Sequence, residues 1–160
     1  MTFDPVPEPM ARRWAADARL AQVPALRYAR RIGSTNDAAL ALAAAGAPEG
    51  TCVLASAQGA GRGRLGHSWF SPEGAGVYLS VVTRPPAQAL SLVTLAAGIA
   101  AGRAIAGVTG LAPELKWPND IMIGRPWRKA GGILAEASSP VGGVEAVVII
   151  DGRVPHCVLL

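Results

Sequence analysis

The chain is poor in several residue types that usually announce a function. Its 160 residues hold two cysteines, Cys52 and Cys157, too few and too far apart for a disulfide framework or a metal motif. Charged residues make up 16% and aromatics 5%, against a hydrophobic share of 51%, which excludes a disordered chain. The start, Met1-Thr2-Phe3-Asp4-Pro5, has no basic segment followed by an apolar core. No secretory signal is read there, and a cytoplasmic location is expected. The most apolar run, Ala89 to Gly102, is followed by Arg103 and falls short of a bilayer-spanning length, so it reads as a buried soluble helix with no membrane role. A chain of this size is expected to form one domain around a real core.

Lysine is the scarcest of the charged residues. The net charge of +4 comes from 13 arginines and only two lysines, Lys116 and Lys129, against 11 acids. Lysine offers a compact, mobile point charge that arginine does not imitate, so the two positions stand out. Six of the arginines (Arg12, Arg13, Arg19, Arg27, Arg30 and Arg31) lie in the first 31 residues. No aromatic stacking pattern accompanies them, so they read as a solvated, partly helical leader and not as a DNA contact.

What is abundant is glycine, and it is concentrated where chemistry is expected. Residues 58–69 read Gln-Gly-Ala-Gly-Arg-Gly-Arg-Leu-Gly-His-Ser-Trp. Glycine lets backbone approach a ligand closely, and guanidinium groups grip phosphates or carboxylates through paired N–H donors. The segment suits a small anion carrying an aromatic base, such as a nucleotide. Gly61, Gly63 and Gly66 also satisfy a dinucleotide fingerprint, but Pro72 interrupts any following helix and no carboxylate lies near Val82-Thr83-Arg84. The Rossmann reading fails on that context.

The pattern along the chain predicts an α+β fold: a mixed or antiparallel sheet with helices packed on one face. Residues 1–9, with three prolines, read as a loose tail, and Ala11 to Leu20 as a short helix. Strands are expected at 26–32, 51–57, 77–83, 114–117, 120–123, 131–137 and 144–150. Ser34-Thr35-Asn36-Asp37 opens a capped helix through Ala45, and Ala89 to Val108 forms a long apolar helix.

Four segments occur in order: Ser34-Thr35-Asn36; Gly61-Arg62-Gly63-Arg64; Lys116-Trp117-Pro118-Asn119-Asp120; and Lys129-Ala130-Gly131-Gly132-Ile133-Leu134-Ala135-Glu136. This set resembles biotin–protein ligases, also called biotin–[acetyl-CoA-carboxylase] ligases, over roughly residues 26–140. The resemblance implies a biotin/lipoate ligase-like catalytic domain at 26–160 behind a leader at 1–25. It also implies a two-step reaction. Biotin's carboxylate attacks the α-phosphate of ATP to give biotinyl-5′-adenylate, and the acyl group then passes to a lysine of a biotin carboxyl carrier domain of a carboxylase.

By the same resemblance Lys129, Arg64 and Lys116 are the catalytic residues. Ser34, Thr35, Asn36, Gln58, Arg62 and Gly63 hold biotin together with Arg64 and Lys129. Gly61, Arg62, Trp69 and Asn119 join Arg64, Lys116 and Lys129 around ATP and the adenylate, and Asp120 is the candidate Mg²⁺ ligand. Plainer alternatives stay open for each: a helix cap for Ser34 or Thr35, a core position for Trp69, a solvated basic turn for the arginines, a surface site for Lys129, and a turn after Pro118. His67 stands where many family members carry a further arginine.

Family members continue from the last strand into a Gly-x-Gly-x-Asn-like turn and a small β-barrel. Here the sequence reads Val147-Val148-Ile149-Ile150-Asp151-Gly152-Arg153-Val154-Pro155-His156-Cys157. A shortened or altered carboxyl end is therefore expected, and an inactive paralogue or fragment that binds biotin or adenylate is the alternative. A lipoate or octanoate ligase is a second alternative. The roughly 25 residues ahead of the first strand are too few for a winged-helix DNA-binding module, so repression is not expected. Whether the chain forms a homodimer is left open.

Overall fold

A computed structural model describes residues 2–138 and 145–152. Ten elements carry the argument: helix α1 (Glu8–Ala16), strand β1 (Leu26–Ala29), helix α2 (Thr35–Ala44), strands β2 (Cys52–Ala55) and β3 (Val77–Thr83), helix α3 (Val93–Thr109), and strands β4 (Glu114–Lys116), β5 (Asp120–Ile123), β6 (Arg128–Ser138) and β7 (Glu145–Gly152). The strands form one sheet in the order β1-β2-β3-β7-β6-β5-β4. β1 and β2 run parallel, joined through α2, and the other neighbours pair antiparallel. The expected α+β class with a mixed sheet is what the chain adopts.

Strand register decides which side chains share a face, because successive residues point to opposite sides. Along β3, Tyr78, Ser80 and Val82 are buried. Ser80 lies opposite Val53 on one side and Ile149 on the other, and Ile149 in turn lies opposite Leu134. Val53, Ser80, Val82, Leu134 and Glu136 thus belong to one face. Against it α2 presses Ala38, Ala39 and Ala43, whose short side chains let the helix approach Val53 and Val82. Ile133 lies one step along β6 and so faces the other way. There it clusters with Ile121 and Ala101 beneath Val93, Ala97 and Ile105 of α3. The two long helices therefore cover opposite faces at opposite ends of the sheet, which corrects the expectation of a single covered face. Composition gives each helix an apolar side, but only register says which side of the sheet receives it.

α2 starts where the sequence said. Ser34 has extended backbone angles and its hydroxyl accepts the Asp37 N–H at 3.5 Å, an N-cap. α1 departs from the reading, beginning at Glu8 and ending at Ala16. Pro9 sits in its first turn, where a missing N–H costs nothing. The helix therefore starts three residues before the expected Ala11. The tail ahead of it is not loose either. Phe3 packs against the α2 cluster, the Asp4 N–H donates to the Tyr28 carbonyl at 2.8 Å, and the Asp4 carboxylate accepts the Arg30 N–H at 2.7 Å. Several leader arginines already have acidic partners: Arg12 pairs with Glu8, Arg19 with Asp17 at 2.6 Å, and Arg30 with Glu73 at 3.2 Å.

α3 is preceded by a 3₁₀ segment, so helical conformation runs from Ala87 to Thr109 over 23 residues. By length and composition alone that run is long and apolar enough to cross a bilayer, which corrects the shorter length read from sequence. The uninterrupted apolar run ends before Arg103, but the helix continues past it, as the expected end at Val108 implies, to a left-handed cap at Gly110. At Gly98 the helix comes within close packing of Leu115, leaving a Cβ only 3.3 Å from that side chain.

Candidate functional site

The part of its own sheet face that α2 leaves uncovered becomes the floor of a cleft. β5 pairs with β6 only as far as Gly132. The register is then closed by Asn119, whose carbonyl accepts the Ile133 N–H at 2.8 Å and whose amide donates to the Ile133 carbonyl at 3.1 Å. The segment from Gln58 to Ser71 forms the wall. It is anchored at both ends, by Gln58 bridged to Ser71 and by Arg62 bridged to Ser68. Gly61 is where these two pieces meet. A Cβ there would sit 2.6 Å from the Trp69 carbonyl oxygen and 2.8 Å from Ser71 Oγ, so no side chain fits without moving backbone.

Between floor and wall lies a cleft of about 300 Å³. Arg62, Gly63, Arg64, Trp69, Asn119, Asp120 and Lys129 line it, together with His67 and Gly132. Lys129 Nζ lies 2.6 Å from Asp120 Oδ1 and 5.0 Å from the centre of the Trp69 ring, over its face. Arg64 is exposed and, among the described residues, makes only a long 3.5 Å contact with Asn119 Oδ1. A neighbouring hollow of about 220 Å³ shares Arg64 and Asn119 and runs to Trp117, Leu134 and the start of α3 at Leu95. Lys116 lines a third, smaller hollow beside Asn119 and Asp120.

Behind the wall lies a closed polar network. The Gln58 carbonyl oxygen accepts the Thr35 N–H at 2.8 Å and the Thr35 hydroxyl at 3.0 Å, while its amide donates to Ser71 Oγ at 3.1 Å. Ser80 Oγ lies 2.8 Å from Thr35 Oγ1 and 3.2 Å from Asn36 Oδ1, and the Asn36 amide donates to Glu136. Ser34, Thr35, Asn36, Gln58, Ser71 and Ser80 are all buried. Pairing is what makes burial of so many polar groups tolerable. Ser34, Thr35, Asn36 and Gln58 thus converge as expected, but they sit beneath the cleft and do not line it. Of the remaining predicted residues, Arg62, Gly63, Arg64, Trp69, Asn119, Asp120 and Lys129 line the cleft, Lys116 lines the adjoining hollow, and Gly61 is buried within the wall.

Three participants went unnoticed in the sequence. Ser71 and Ser80 complete the buried network, and Asp37 takes a forked pair of hydrogen bonds from Arg62 at 2.9 and 2.6 Å. Glu136, noticed only as part of a motif, accepts a third from Arg62 at 3.1 Å. A carboxylate among Ile133, Leu134 and Ala135 was the available signal. The Arg62 hydrogen bonds hold the Asp37 carboxyl below its ordinary range, and Asp37 with Glu136 raises the Arg62 guanidinium above its own. Since the folded value of Asp37 is the lower one, its stabilisation is complete above the unfolded value, near 3.9. It is lost as pH falls from there through the folded value. The stability gap between the wild type and Asp37→Asn, followed by urea unfolding, is expected to be small because Asp37 is half exposed. The gap should be present at neutral pH and vanish in acid. Burial pushes the Cys52 thiol up to about 11, which makes it a poor nucleophile.

The residues near Asp120 do not form a cation site by themselves. Its carboxylate is engaged by Lys129, Asn119 is tied to Ile133, and no group of three acidic, histidine or cysteine residues that could hold a metal occurs among the described residues. The carboxyl-end residues 153–157, which bear on the expected shortened or altered end, lie outside the described residues.

The biotin/lipoate A/B protein ligase family model matches residues 28–152. The bifunctional ligase/repressor BirA of Bacillus subtilis is 41% identical over 126 residues, covering 78% of this chain and 38% of its own length. The biotin–[acetyl-CoA-carboxylase] ligase of Mycobacterium tuberculosis is 42% identical over 117 residues, covering 69% of this chain and 43% of that one. The chain thus spans well under half the length of both relatives. Among solved structures, biotin protein ligase from Leishmania major in complex with biotinyl-5-AMP superposes with a TM-score of 0.69 at 27% identity, over 82% of this chain and 57% of that one. The Aquifex aeolicus enzyme in complex with biotin and ATP gives 0.65 at 28% identity, over 85% and 57%. The chain belongs to the biotin/lipoate A/B protein ligase family.

Proposed function

We propose that this chain activates biotin with ATP and passes the biotinyl group to a lysine on a biotin carboxyl carrier domain. The carrying observation is the convergence of Lys129, Arg64 and Trp69 on one cleft that also holds Asn119 and the Gly63 backbone. In the first step a biotin carboxylate oxygen bonds to the α-phosphorus and the bond to the β-phosphate oxygen breaks, releasing pyrophosphate. Two anions must meet for this, and fixed cations offset their repulsion. Lys129 is placed to do so, since its ammonium needs only to exchange Asp120 for a carboxylate or phosphate oxygen. Arg64, exposed and loosely tied, is free to turn onto the same phosphate. Lys116, which lines the adjoining hollow with Asn119 and Asp120, would meet the outer phosphates, and any Mg²⁺ would arrive on the nucleotide.

In the second step the carrier lysine's amine nitrogen attacks the acyl carbon, the bond to the phosphate oxygen breaks, AMP leaves, and the amine loses a proton. A mixed anhydride is hydrolysed if water reaches it, so closure of the wall over the cleft protects it. The glycine-rich segment gives that wall its mobility, and the Trp69 indole provides a face for the purine worth about 1–3 kcal/mol. Ser34, Thr35, Asn36 and Gln58 would reach biotin's ureido group once the wall shifts and their network opens. The test is release of pyrophosphate with biotin and ATP, followed by transfer of labelled biotin to a carrier domain. Activity with lipoate and not biotin would replace the substrate. Ligand binding without pyrophosphate release would leave only a binding protein.

A further inference from the structure

The two arginines of the glycine-rich wall are not equivalent. Both terminal nitrogens of Arg62 are already committed to carboxylates of the protein itself, forked onto Asp37 with a third bond to Glu136. Arg64, two residues on, has among the described residues only its long contact with Asn119. An arginine whose fork is filled in this way has no matching face left for a phosphate. Arg62 acts instead as a fastener: one guanidinium ties together the wall, the first turn of α2 and the middle of β6.

Each partner is itself held. Asp37 is in the first turn of α2, where the helix dipole favours its ionised form and the Ser34 hydroxyl caps its N–H. Glu136 is fixed by the Asn36 amide, which belongs to the buried network. Arg62 and Glu136 are each about one-third exposed, so the pairing is sheltered from the full screening of water. The fastener lies at the base of the stretch that carries Gly63 and Arg64, before the Arg62–Ser68 bridge closes the tip.

We propose that Asp37 and Glu136 are positioning residues that, through Arg62, hold the wall down and present Arg64 to the anion in the cleft. This rests on the function proposed above for its consequence, but not for its geometry. The geometric arm is hydrogen exchange of the Gly63–Ser68 amides in the ligand-free chain. Asp37→Asn and Arg62→Lys should each speed exchange there about tenfold and leave α2 and β3 unchanged, and Asp37→Glu should restore protection. Unchanged exchange in the tip, or an equal rise throughout α2 and the sheet, would overturn the proposal.

The functional arm is the loss of bound biotinyl-adenylate after a single turnover. Asp37→Asn should shorten its lifetime about tenfold and raise the apparent KM for biotin more than it lowers kcat, again with recovery in Asp37→Glu. A lifetime unchanged beside a loosened tip would overturn the link to Arg64. A wild-type chain that makes no adenylate would sink the proposed function while leaving the exchange result to decide the fastener.

Discussion

Lys129→Ala should slow pyrophosphate release from biotin and ATP by roughly 10²–10³-fold, the range for losing one preorganised charge at a developing anion. The ammonium projects into the cleft from the start of β6, with Asp120 at 2.6 Å and the Trp69 face at 5.0 Å. Without it, Asp120 faces the cleft unpaired. The variant then loses one positive charge and gains an uncompensated negative one where a carboxylate and a triphosphate must meet. Both changes act in the same direction. Lys129→Arg restores charge but not shape: a planar fork cannot follow a moving oxygen as a compact ammonium can, so it should recover little of the rate. Single-turnover measurement at saturating biotin and ATP separates this from weakened binding. Rates within twofold of wild type in Lys129→Ala would remove this residue from the chemistry.

That Lys129 deserved attention was visible in the sequence, since it is one of only two lysines and lies within an ordered set of motifs. The cap at Ser34 was visible too, because capping is decided by residues three apart. Partnerships that close over long separations were not visible. Arg62 meets Glu136 across 74 residues, and the side-by-side pairing of β3, β7 and β6 in the sheet brings them together. From sequence alone Arg62 and Arg64 look alike; the fold fills the fork of one and leaves the other nearly free. The same limit applies to the helices. An apolar stripe says that α3 must cover something, but strand parity at Ile133 decides that it covers the face opposite α2. The polar residues grouped for biotin share a location as expected. Thr35 and Gln58 bond directly, but the link from Thr35 to Asn36 runs through Ser80, which nothing in its strand context distinguished from a neutral position.

Ile133→Ala should lower unfolding stability by about 2–5 kcal/mol, the range for truncating a buried isoleucine. Ile133 is 1% exposed and packs with Ile121 and Ala101 beneath α3. The cavity has little means of collapsing, because α3 is already close to Leu115 at Gly98 and the strands are pinned by their ladders. In a chain of this length such a loss lowers the melting temperature by roughly 2–4 °C per kcal/mol. Ile133→Val, which removes one methylene, should cost only about 0.5–1.5 kcal/mol. The site should respond differently from the core. Asn119 grips only the backbone of Ile133, its carbonyl accepting the Ile133 N–H at 2.8 Å and its side-chain amide donating to the Ile133 carbonyl at 3.1 Å, so truncating the Ile133 side chain leaves both bonds in place. The folded fraction of Ile133→Ala should therefore bind biotin near wild-type affinity at low temperature while unfolding in less urea. A variant that kept its stability would show that α3 contributes little across this contact. One that stayed folded but lost biotin affinity would show that the core side chain, not the Asn119 bonds, sets the floor of the cleft.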